Sequence, residues 1–215
     1  MNERGPQHTI YLDLDGVVFP YWRNHGHGER LRGAGSDELL QANLMQEGLK
    51  RKWIDGREFY YPAITKRLGV IAARGAEIIG SSSRSLDLFL HYPSVRDDLG
   101  DVERFLSIDT FEPGRIDHKA EAVVKNWQGV IDLSNERRGW ERQPSLRIDY
   151  PTSKPPGSRA VWIDDHAMPK ILASSPSEYG KEALSISSLK IINPLGTVGL
   201  TMAQLDEAEG FLFNE

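Results

Sequence analysis

The stretch IYLDLDGVVF, residues 10–19, decides the fold, because it is an apolar run that meets two aspartates and a glycine. The pattern predicts a first strand over residues 9–18. Alternate side chains of a strand point to the same face, so Asp13 and Asp15 would lie on one side and Leu14 on the other. Two carboxylates this close raise each other's pKa unless a cation or a base lies between them. The stretch therefore predicts that the end of the first strand holds a divalent metal ion.

The composition of the chain is that of an ordinary globular protein. Its 215 residues allow one full core plus a modest insertion, with 39% hydrophobic and 27% charged residues. A net charge of -5 argues against a protein that coats nucleic acid, and the absence of cysteine excludes disulfides, thiolate metal sites and cysteine nucleophiles. Residues 1–8 carry no apolar signal segment, and no run approaches the ~18 apolar residues of a membrane span. We expect a cytoplasmic protein that has no membrane partner.

Apolar strands alternate with helices along the rest of the chain. Further strands are predicted at residues 76–83, 105–108, 159–165 and 189–192. Helices are predicted at residues 62–75, around 86–90, and at 117–127 and 201–213. Residues 135–158 are polar and hold four prolines, which predicts an irregular excursion. The alternation predicts a three-layer, Rossmann-like α/β fold with a doubly wound parallel sheet, in which ligands bind outside the carboxyl ends of the strands.

Residues 20–60 interrupt this alternation. They begin with a run that is rich in glycine, histidine and arginine and continue with a predicted short helix at residues 36–49. An Asp-Gly pair between two β-prone runs then predicts a hairpin within residues 52–61. We therefore expect a small cap insertion, residues 20–60, on a catalytic core made of residues 1–19 and 61–215.

Chemically active residues end the strands or open the helices in a fixed order. They are Asp13-x-Asp15-Gly16, the hydroxyls of Ser81 and Ser82, Lys119, and then Asp164-Asp165. This ordered set resembles the four motifs of the haloacid dehalogenase (HAD) superfamily and spans residues 10–165. The tail Gly199-Leu200-Thr201 before the last helix is also similar to that of small HAD-like phosphatases of actinobacteria and their phages. An acid at the position of Asp15 is typical of phosphatases and phosphomutases, and not of dehalogenases or P-type ATPases.

The resemblance implies a distinct role for each acid. Asp13 would be the nucleophile that attacks phosphorus and forms an aspartyl-phosphate. Mg²⁺ would be held by Asp13, by the backbone carbonyl of Asp15, and by Asp164 with Asp165. Lys119 would bridge the nucleophile and the phosphoryl group, since carboxylate and phosphate are both anions. Asp15 would protonate the leaving oxygen and then activate water.

The same resemblance implies a set of phosphate contacts. Gly16 would let the chain turn sharply beside the phosphate. One of the two serines would donate a hydrogen bond to a phosphoryl oxygen; counting along the strand favours Ser82, and Ser81 stays open. Ser83 is a further candidate, and Arg84 could contact either the substrate phosphate or solvent.

The leading hypothesis is a Mg²⁺-dependent phosphomonoester hydrolase that acts on a small phosphorylated metabolite or nucleotide. An alternative is a nucleic-acid end phosphatase that removes a 3′- or 5′-phosphate, because the insertion is basic and aromatic. Its aromatic residues could instead form the insertion's own core; they are Trp22, Trp53, Phe59 and Tyr60. A third hypothesis is a catalytically idle HAD fold that binds a phospholigand. The oligomeric state is not predicted.

Overall fold

The structure, a computed structural model, describes residues 7–20, 48–54, 58–82, 92–100, 104–106, 116–129, 147–148 and 154–214. Its strands are β1 (His8–Leu12), β2 (Lys52–Ile54), β3 (Glu58–Tyr60), β4 (Ala76–Gly80), β5 (Arg104–Phe105), β6 (Arg147–Ile148), β7 (Ala160–Ile163) and β8 (Leu189–Ile192). Its helices are α1 (Pro62–Ala73), α2 (Pro93–Leu99), α3 (Ile116–Gln128), α4 (Pro169–Ser174), α5 (Glu178–Ser185) and α6 (Met202–Phe213). None of these helices is long and apolar enough to cross a membrane.

Six strands form one parallel sheet, in the order β6-β5-β4-β1-β7-β8. The chain starts in the middle at β1, moves outward through β4, β5 and β6, and then returns to the other side of β1 for β7 and β8. The strand order therefore reverses between β1 and β7, and such a reversal opens a crevice at the carboxyl ends of the strands. The predicted α/β fold with a parallel sheet is confirmed, and its topology is that of a Rossmann-like fold.

Helices cover both faces of the sheet. On one face Ile10 and Leu12 of β1 share a buried cluster with apolar residues of α1, α2 and α6. On the other face Tyr11 of β1 and Trp162 of β7 share a second cluster with residues of α3, α4 and α5. Successive residues of β1 thus serve opposite layers, as strand geometry requires. The face covered by α3 is the one that carries the candidate site.

The first strand is shorter than the sequence predicts. It ends at Leu12, whereas the prediction extended it over residues 9–18. The carbonyl of Leu14 accepts hydrogen bonds from the backbone N–H groups of Val17, Val18 and Phe19, so the chain folds back on itself at once. Gly16 adopts a φ of 71°, a left-handed conformation that glycine accepts readily. The predicted sharp turn at Gly16 is confirmed, and the apolar residues after it are buried in a turn.

The segment 135–158 is not wholly irregular. Residues Arg147–Ile148 form β6 beside β5, so the prediction for this part was wrong. A strand of two residues carries too little periodicity to be recognised, and its pairing with a neighbouring strand is what defines it. The rest of the prediction for this segment falls mainly on residues 135–146 and 149–153, which lie outside the described residues.

Three further predictions agree with the structure. The helix after Pro62, the strand Leu189–Ile192 and the last helix are all present. The last helix begins with a capping box, in which Thr201 and Gln204 exchange hydrogen bonds. The predicted helices at residues 36–49 and 86–90 fall almost wholly outside the described residues, and the division into a core and a 20–60 cap stays a prediction.

The predicted hairpin is present as the antiparallel pair β2–β3, although its tip at residues 55–57 lies outside the described part. Phe59 and Tyr60 are buried in the core, whereas Trp53 is 48% exposed. The Tyr60 hydroxyl donates to Asp98 of α2 at 3.5 Å, and the same carboxylate oxygen accepts from Thr65 of α1 at 3.1 Å. Asp98 therefore ties the hairpin to two helices of the core.

The ionisation of Tyr60 should lower the free energy of unfolding at alkaline pH. Burial, followed by the neighbouring Asp98, raises the pKa of Tyr60 to about 12. The pKa of a tyrosine in the unfolded chain is about 10, so the folded state holds this proton more tightly. The folded state therefore loses stability as the pH rises from about 10 to 12. Because solvent screens part of the interaction at the hydroxyl, the expected loss is about 1–2 kcal/mol. Urea denaturation at several pH values should show it in the wild type and not in Tyr60→Phe; an identical alkaline slope in both proteins would contradict the prediction.

The turn after β8 packs against the turn after β1. The N–H of Leu200 donates to the carbonyl of Val17 at 2.9 Å. Gly199 has a φ of 76°, and a Cβ atom there would stand 2.8 Å from the Val17 oxygen and 2.8 Å from the Pro20 side chain. The two turns can approach this closely only because residue 199 has no side chain.

Gly199→Ala should therefore destabilise the protein by roughly 2–4 kcal/mol, through left-handed backbone strain and overpacking together. Gly48→Ala is a matched control, because Gly48 has a φ of 80° and none of the described residues lies within 4 Å of where its Cβ would be. The control should lose only about 1–2 kcal/mol, from strain alone. Urea denaturation of the two variants measures the difference, and equal losses would mean that the contact between the turns carries no strain.

Candidate functional site

Two aspartates occupy neighbouring strand ends in the crevice. Asp13 directly follows β1 and Asp164 directly follows β7. The ladder of the sheet continues through both, since Asp13 N–H donates to the Ile163 carbonyl at 3.0 Å and Asp164 N–H donates to the Ile192 carbonyl at 3.1 Å. Both side chains are almost completely buried. The sheet itself thus fixes where the two carboxylates stand.

Lys119, in the first turn of α3, joins these carboxylates. Its Nζ donates to Asp13 Oδ2 at 2.5 Å and to Asp164 Oδ2 at 2.9 Å. The Lys119 side chain is 18% exposed, against 3% for Asp13 and 0% for Asp164. One ammonium group therefore serves two buried carboxylates, and the trio keeps one excess negative charge when all three groups are ionised.

The pKa values reflect this imbalance. Burial raises the pKa of Asp13, and the charge of Asp164 raises it further, while Lys119 acts in the opposite direction. For Lys119, burial works to lower the pKa, but Asp13 and Asp164 outweigh burial and raise it. Lys119 is thus held as the ammonium ion. A second cation would stabilise both carboxylates in their ionised form.

The remaining oxygens of the two carboxylates are also oriented. Asp13 Oδ1 accepts the Leu14 backbone N–H at 2.8 Å, and Asp164 Oδ1 accepts the His166 backbone N–H at 2.8 Å. The side chain of Asn193, which follows β8, donates to the Asp164 carbonyl at 2.7 Å. Asn193 was not predicted, although a polar residue directly after a buried strand is the same signal that marked the aspartates.

Helix α3 is fastened to its surroundings at both ends, which positions Lys119. Near its start, the Ser175 hydroxyl donates to the Asp117 carboxylate. Near its end, the Tyr11 hydroxyl donates to Asn126 at 2.6 Å within the buried layer. Tyr11 stands two residues before Asp13 on β1, so the same strand and helix are joined at two levels.

Four side chains form a group that could hold a metal ion: Asp13, Asp164, Asp165 and His166. Each offers one ligand atom, and these atoms lie within 4.8 Å of one another. Carboxylate oxygens suit hard divalent ions, and the excess negative charge favours a cation, so the residues fit a divalent metal. The predicted trio of aspartates is brought together, and His166 is an addition that the sequence analysis missed.

His166 stands directly after the two acids. Its Nδ1 lies 2.8 Å from Asp165 Oδ1, and this hydrogen bond is the main cause of a raised His166 pKa, which burial partly opposes. The side chain of His166 is 43% exposed, whereas that of Asp165 is 6% exposed. The imidazole is thus the more solvent-exposed side chain of this pair.

Asp15 lies apart from the metal group. It forms a backbone bridge with Phe19 across the tight turn, and its carboxylate is not among the four grouped side chains. The predicted metal contact of Asp15 was through its backbone carbonyl, and that contact stays a prediction. The strand ends before both Asp13 and Asp15, so strand alternation does not fix their relative orientation.

The structure bears on the choice between the two serines. The Ser81 N–H donates to the Leu12 carbonyl at 2.8 Å, which places Ser81 beside Asp13. Ile79, two residues earlier, packs in the cluster with α3, so strand alternation puts the Ser81 side chain on the same face as Lys119. The Ser81 hydroxyl is buried and has no hydrogen-bond partner within the described residues. These observations favour Ser81 over Ser82, which is also buried; Ser83 and Arg84 lie outside the described residues.

No protein-family model, curated protein or solved structure matches the chain.

Proposed function

We propose that the protein is a Mg²⁺-dependent phosphomonoester hydrolase of the HAD type, which acts through an aspartyl-phosphate on a small phosphorylated metabolite or nucleotide. The observation that carries the proposal is the buried Asp13–Lys119–Asp164 trio at the carboxyl edge of the sheet. Lys119 orients the buried Asp13 carboxylate for attack, and the one negative charge that the trio keeps favours a metal cation beside it. That cation and Lys119 together would neutralise the charge of a phosphoryl group.

Asp13 is the nucleophile in this proposal. One of its oxygens forms the new bond to phosphorus while the bond from phosphorus to the ester oxygen breaks. Its orientation is set by the Leu14 N–H and by Lys119, so little freedom has to be lost on the way to the transition state. The leaving oxygen takes a proton from Asp15, and water then attacks the aspartyl-phosphate after giving a proton to Asp15. Orthophosphate and free Asp13 are regenerated.

Charge neutralisation is the main demand on the site, because a carboxylate attacks a dianion. Lys119 meets part of it from between Asp13 and Asp164. The Ser81 hydroxyl, which has no hydrogen-bond partner among the described residues, is suited to donate a hydrogen bond to a phosphoryl oxygen. A Mg²⁺ ion held by Asp13, Asp164 and Asp165 would supply the remaining positive charge on the phosphoryl oxygens.

Asp15 suits the role of proton carrier. It is partly exposed in the tight turn, while Asp13 is buried, and its carboxylate stays outside the metal group. A carboxyl group that reaches solvent can exchange its proton between the two half-reactions.

The nucleic-acid alternative gains no support from the described part of the insertion. Phe59 and Tyr60 are buried and cannot stack on bases, while Trp53 is exposed and in contact with Phe59 at a ring distance of 5.2 Å. Arg51 lies over the Phe59 ring, so its charge is partly engaged within the hairpin. Trp22 and most of the basic residues lie outside the described ranges. A small phosphomonoester is therefore the first substrate class to test.

The test is release of orthophosphate from an aryl phosphate and from a panel of phosphorylated sugars, nucleotides and amino acids, with Mg²⁺ and with EDTA. Turnover that requires Mg²⁺ is expected. Oligonucleotides with 3′- or 5′-phosphate belong in the same panel, and faster release from these than from mononucleotides would favour the alternative. Tight binding of a phosphate analogue without any turnover would indicate an idle fold and would reject the proposal.

A further inference from the structure

The imidazole of His166 has different contacts from those of an ordinary surface histidine. Its Nδ1 atom is 2.8 Å from Asp165 Oδ1, so one ring nitrogen is engaged by a carboxylate. Within the part of the chain that the structure describes, its other nitrogen, Nε2, has no hydrogen-bond partner. One of the two ring nitrogens of His166 lies within 4.8 Å of the ligand oxygens of the three aspartates.

A carboxylate on one ring nitrogen is the usual companion of a metal-bound histidine. The carboxylate accepts the N–H of that nitrogen, which fixes the tautomer and leaves the lone pair of the other nitrogen for the ion. Asp165 provides such a contact to His166. Two hydrogen bonds also hold the loop that carries Asp165 and His166. The His166 backbone N–H donates to the side-chain Oδ1 of Asp164 at 2.8 Å, and the Asp164 backbone carbonyl accepts from the Asn193 side chain at 2.7 Å. The backbone of the loop after β7 is thus held in place at His166.

We propose that His166 is a nitrogen ligand of the metal site, and that this ligand makes the site bind Mn²⁺ and Co²⁺ selectively over Mg²⁺. Imidazole nitrogen suits first-row transition ions, whereas Mg²⁺ takes oxygen ligands and water in a strict octahedron. The three aspartates alone would form an all-oxygen site. The inference rests on the proposed function for the position of the metal, but its test does not depend on catalysis.

The experiment measures binding of Mn²⁺ by electron paramagnetic resonance at pH 8, with Mg²⁺ affinity obtained by competition. Replacing a group that ligates or orients a bound metal typically weakens affinity about 10–100-fold, so His166→Asn should raise the Kd for Mn²⁺ by at least about tenfold. The Kd for Mg²⁺ should change by less than about threefold, because oxygen and water ligands remain. His118→Asn is the matched control: His118 lies next to Lys119 on α3 and is not among the grouped ligands.

Pulsed electron paramagnetic resonance adds a readout that can be made on the wild-type protein itself. Mn²⁺ bound to the wild type should show coupling to a ligand nitrogen nucleus, and the coupling should be lost in His166→Asn and kept in His118→Asn. Wild-type protein without nitrogen coupling would overturn the proposal. So would equal loss of Mn²⁺ and Mg²⁺ affinity in His166→Asn, since His166 would then only orient Asp165.

The two proposals can fail separately. Selective Mn²⁺ binding with nitrogen coupling but no turnover of any phosphoester would reject the hydrolase and keep the His166 ligand. Mg²⁺-dependent turnover in a protein whose bound Mn²⁺ shows no nitrogen coupling would keep the hydrolase and reject the ligand.

Discussion

Asp13→Asn should abolish phosphomonoester hydrolysis while the protein stays folded. The amide cannot form an acyl-phosphate, and removal of a nucleophile typically costs roughly 10⁴-fold or more in kcat. The fold should tolerate the change, because the amide keeps the shape of the carboxylate and removes its repulsion with Asp164. Lys119 would still have Asp164 as a partner at 2.9 Å. Initial rates with the best substrate of the panel measure the loss, and urea denaturation measures the stability.

Asp15→Asn is the matched comparison for Asp13→Asn, since the same chemical change is made two residues away. It should slow leaving-group departure and hydrolysis of the intermediate by roughly 10²–10⁴-fold, as expected for loss of a general acid and base. Acid-quenched protein should then carry trapped phosphate, which Asp13→Asn should not. Trapped phosphate on Asp13→Asn, or loss of metal binding in Asp15→Asn, would show that the two roles are wrongly assigned.

Lys119→Met should have the largest effect on stability. It leaves Asp13 and Asp164 buried side by side without their ammonium partner. Breaking a buried ion pair in this way typically costs about 3–5 kcal/mol, because the remaining charge has lost its compensation. Since burial and Asp164 already raise the pKa of Asp13, the loss should diminish at acidic pH, where Asp13 takes up a proton. Urea denaturation across pH values tests both statements.

Lys125→Met is the control on the same helix. Lys125 pairs with Glu121 one turn away, at 2.6 Å, and such pairs on a helix surface contribute about 0.2–0.5 kcal/mol. The double variant Asp13→Asn/Lys119→Met should recover part of the stability lost in Lys119→Met, because only one unpaired carboxylate then remains. If Lys119→Met were as stable as Lys125→Met, Asp13, Lys119 and Asp164 would not all be ionised in the folded protein.

Strand-end reasoning from the sequence predicted most of the candidate site because the relevant residues follow buried strands. Asp13 and Asp164 come directly after apolar runs, and a parallel sheet brings such ends to one edge. The choice between Ser81 and Ser82 needed the structure, because it depends on which face of the sheet α3 covers: Ile79 packs with α3, and Ser81 follows two residues later. His166 has no periodic signal of its own. Only the fold shows that its ring turns back to Asp165.

The sequence predicted the elements that are long enough to show a periodic apolar pattern and missed the short ones. Helices α2, α4 and α5 have six to eight residues and were not predicted, although α2 and α4 begin with a proline and α5 has a serine cap at Ser177. These local signals mark where a helix begins without giving enough turns to show an apolar face. The end of β1 was misplaced for a different reason. The buried turn that follows β1 contains apolar, β-branched residues such as Val17 and Val18, which are also typical of strands.

The contact between Val17 and Leu200 has a consequence for how the protein is made. Asp13 is among the first residues of the site to leave the ribosome, yet the turn that follows it is held by Leu200, and Asp164 is held by Ile192 at the end of β8. A nascent chain that has not yet extended to residue 192 lacks both supports, and one that ends before residue 200 lacks the contact with Val17. The residues of the site therefore have both supports only after residue 200 has been synthesised and has left the ribosome.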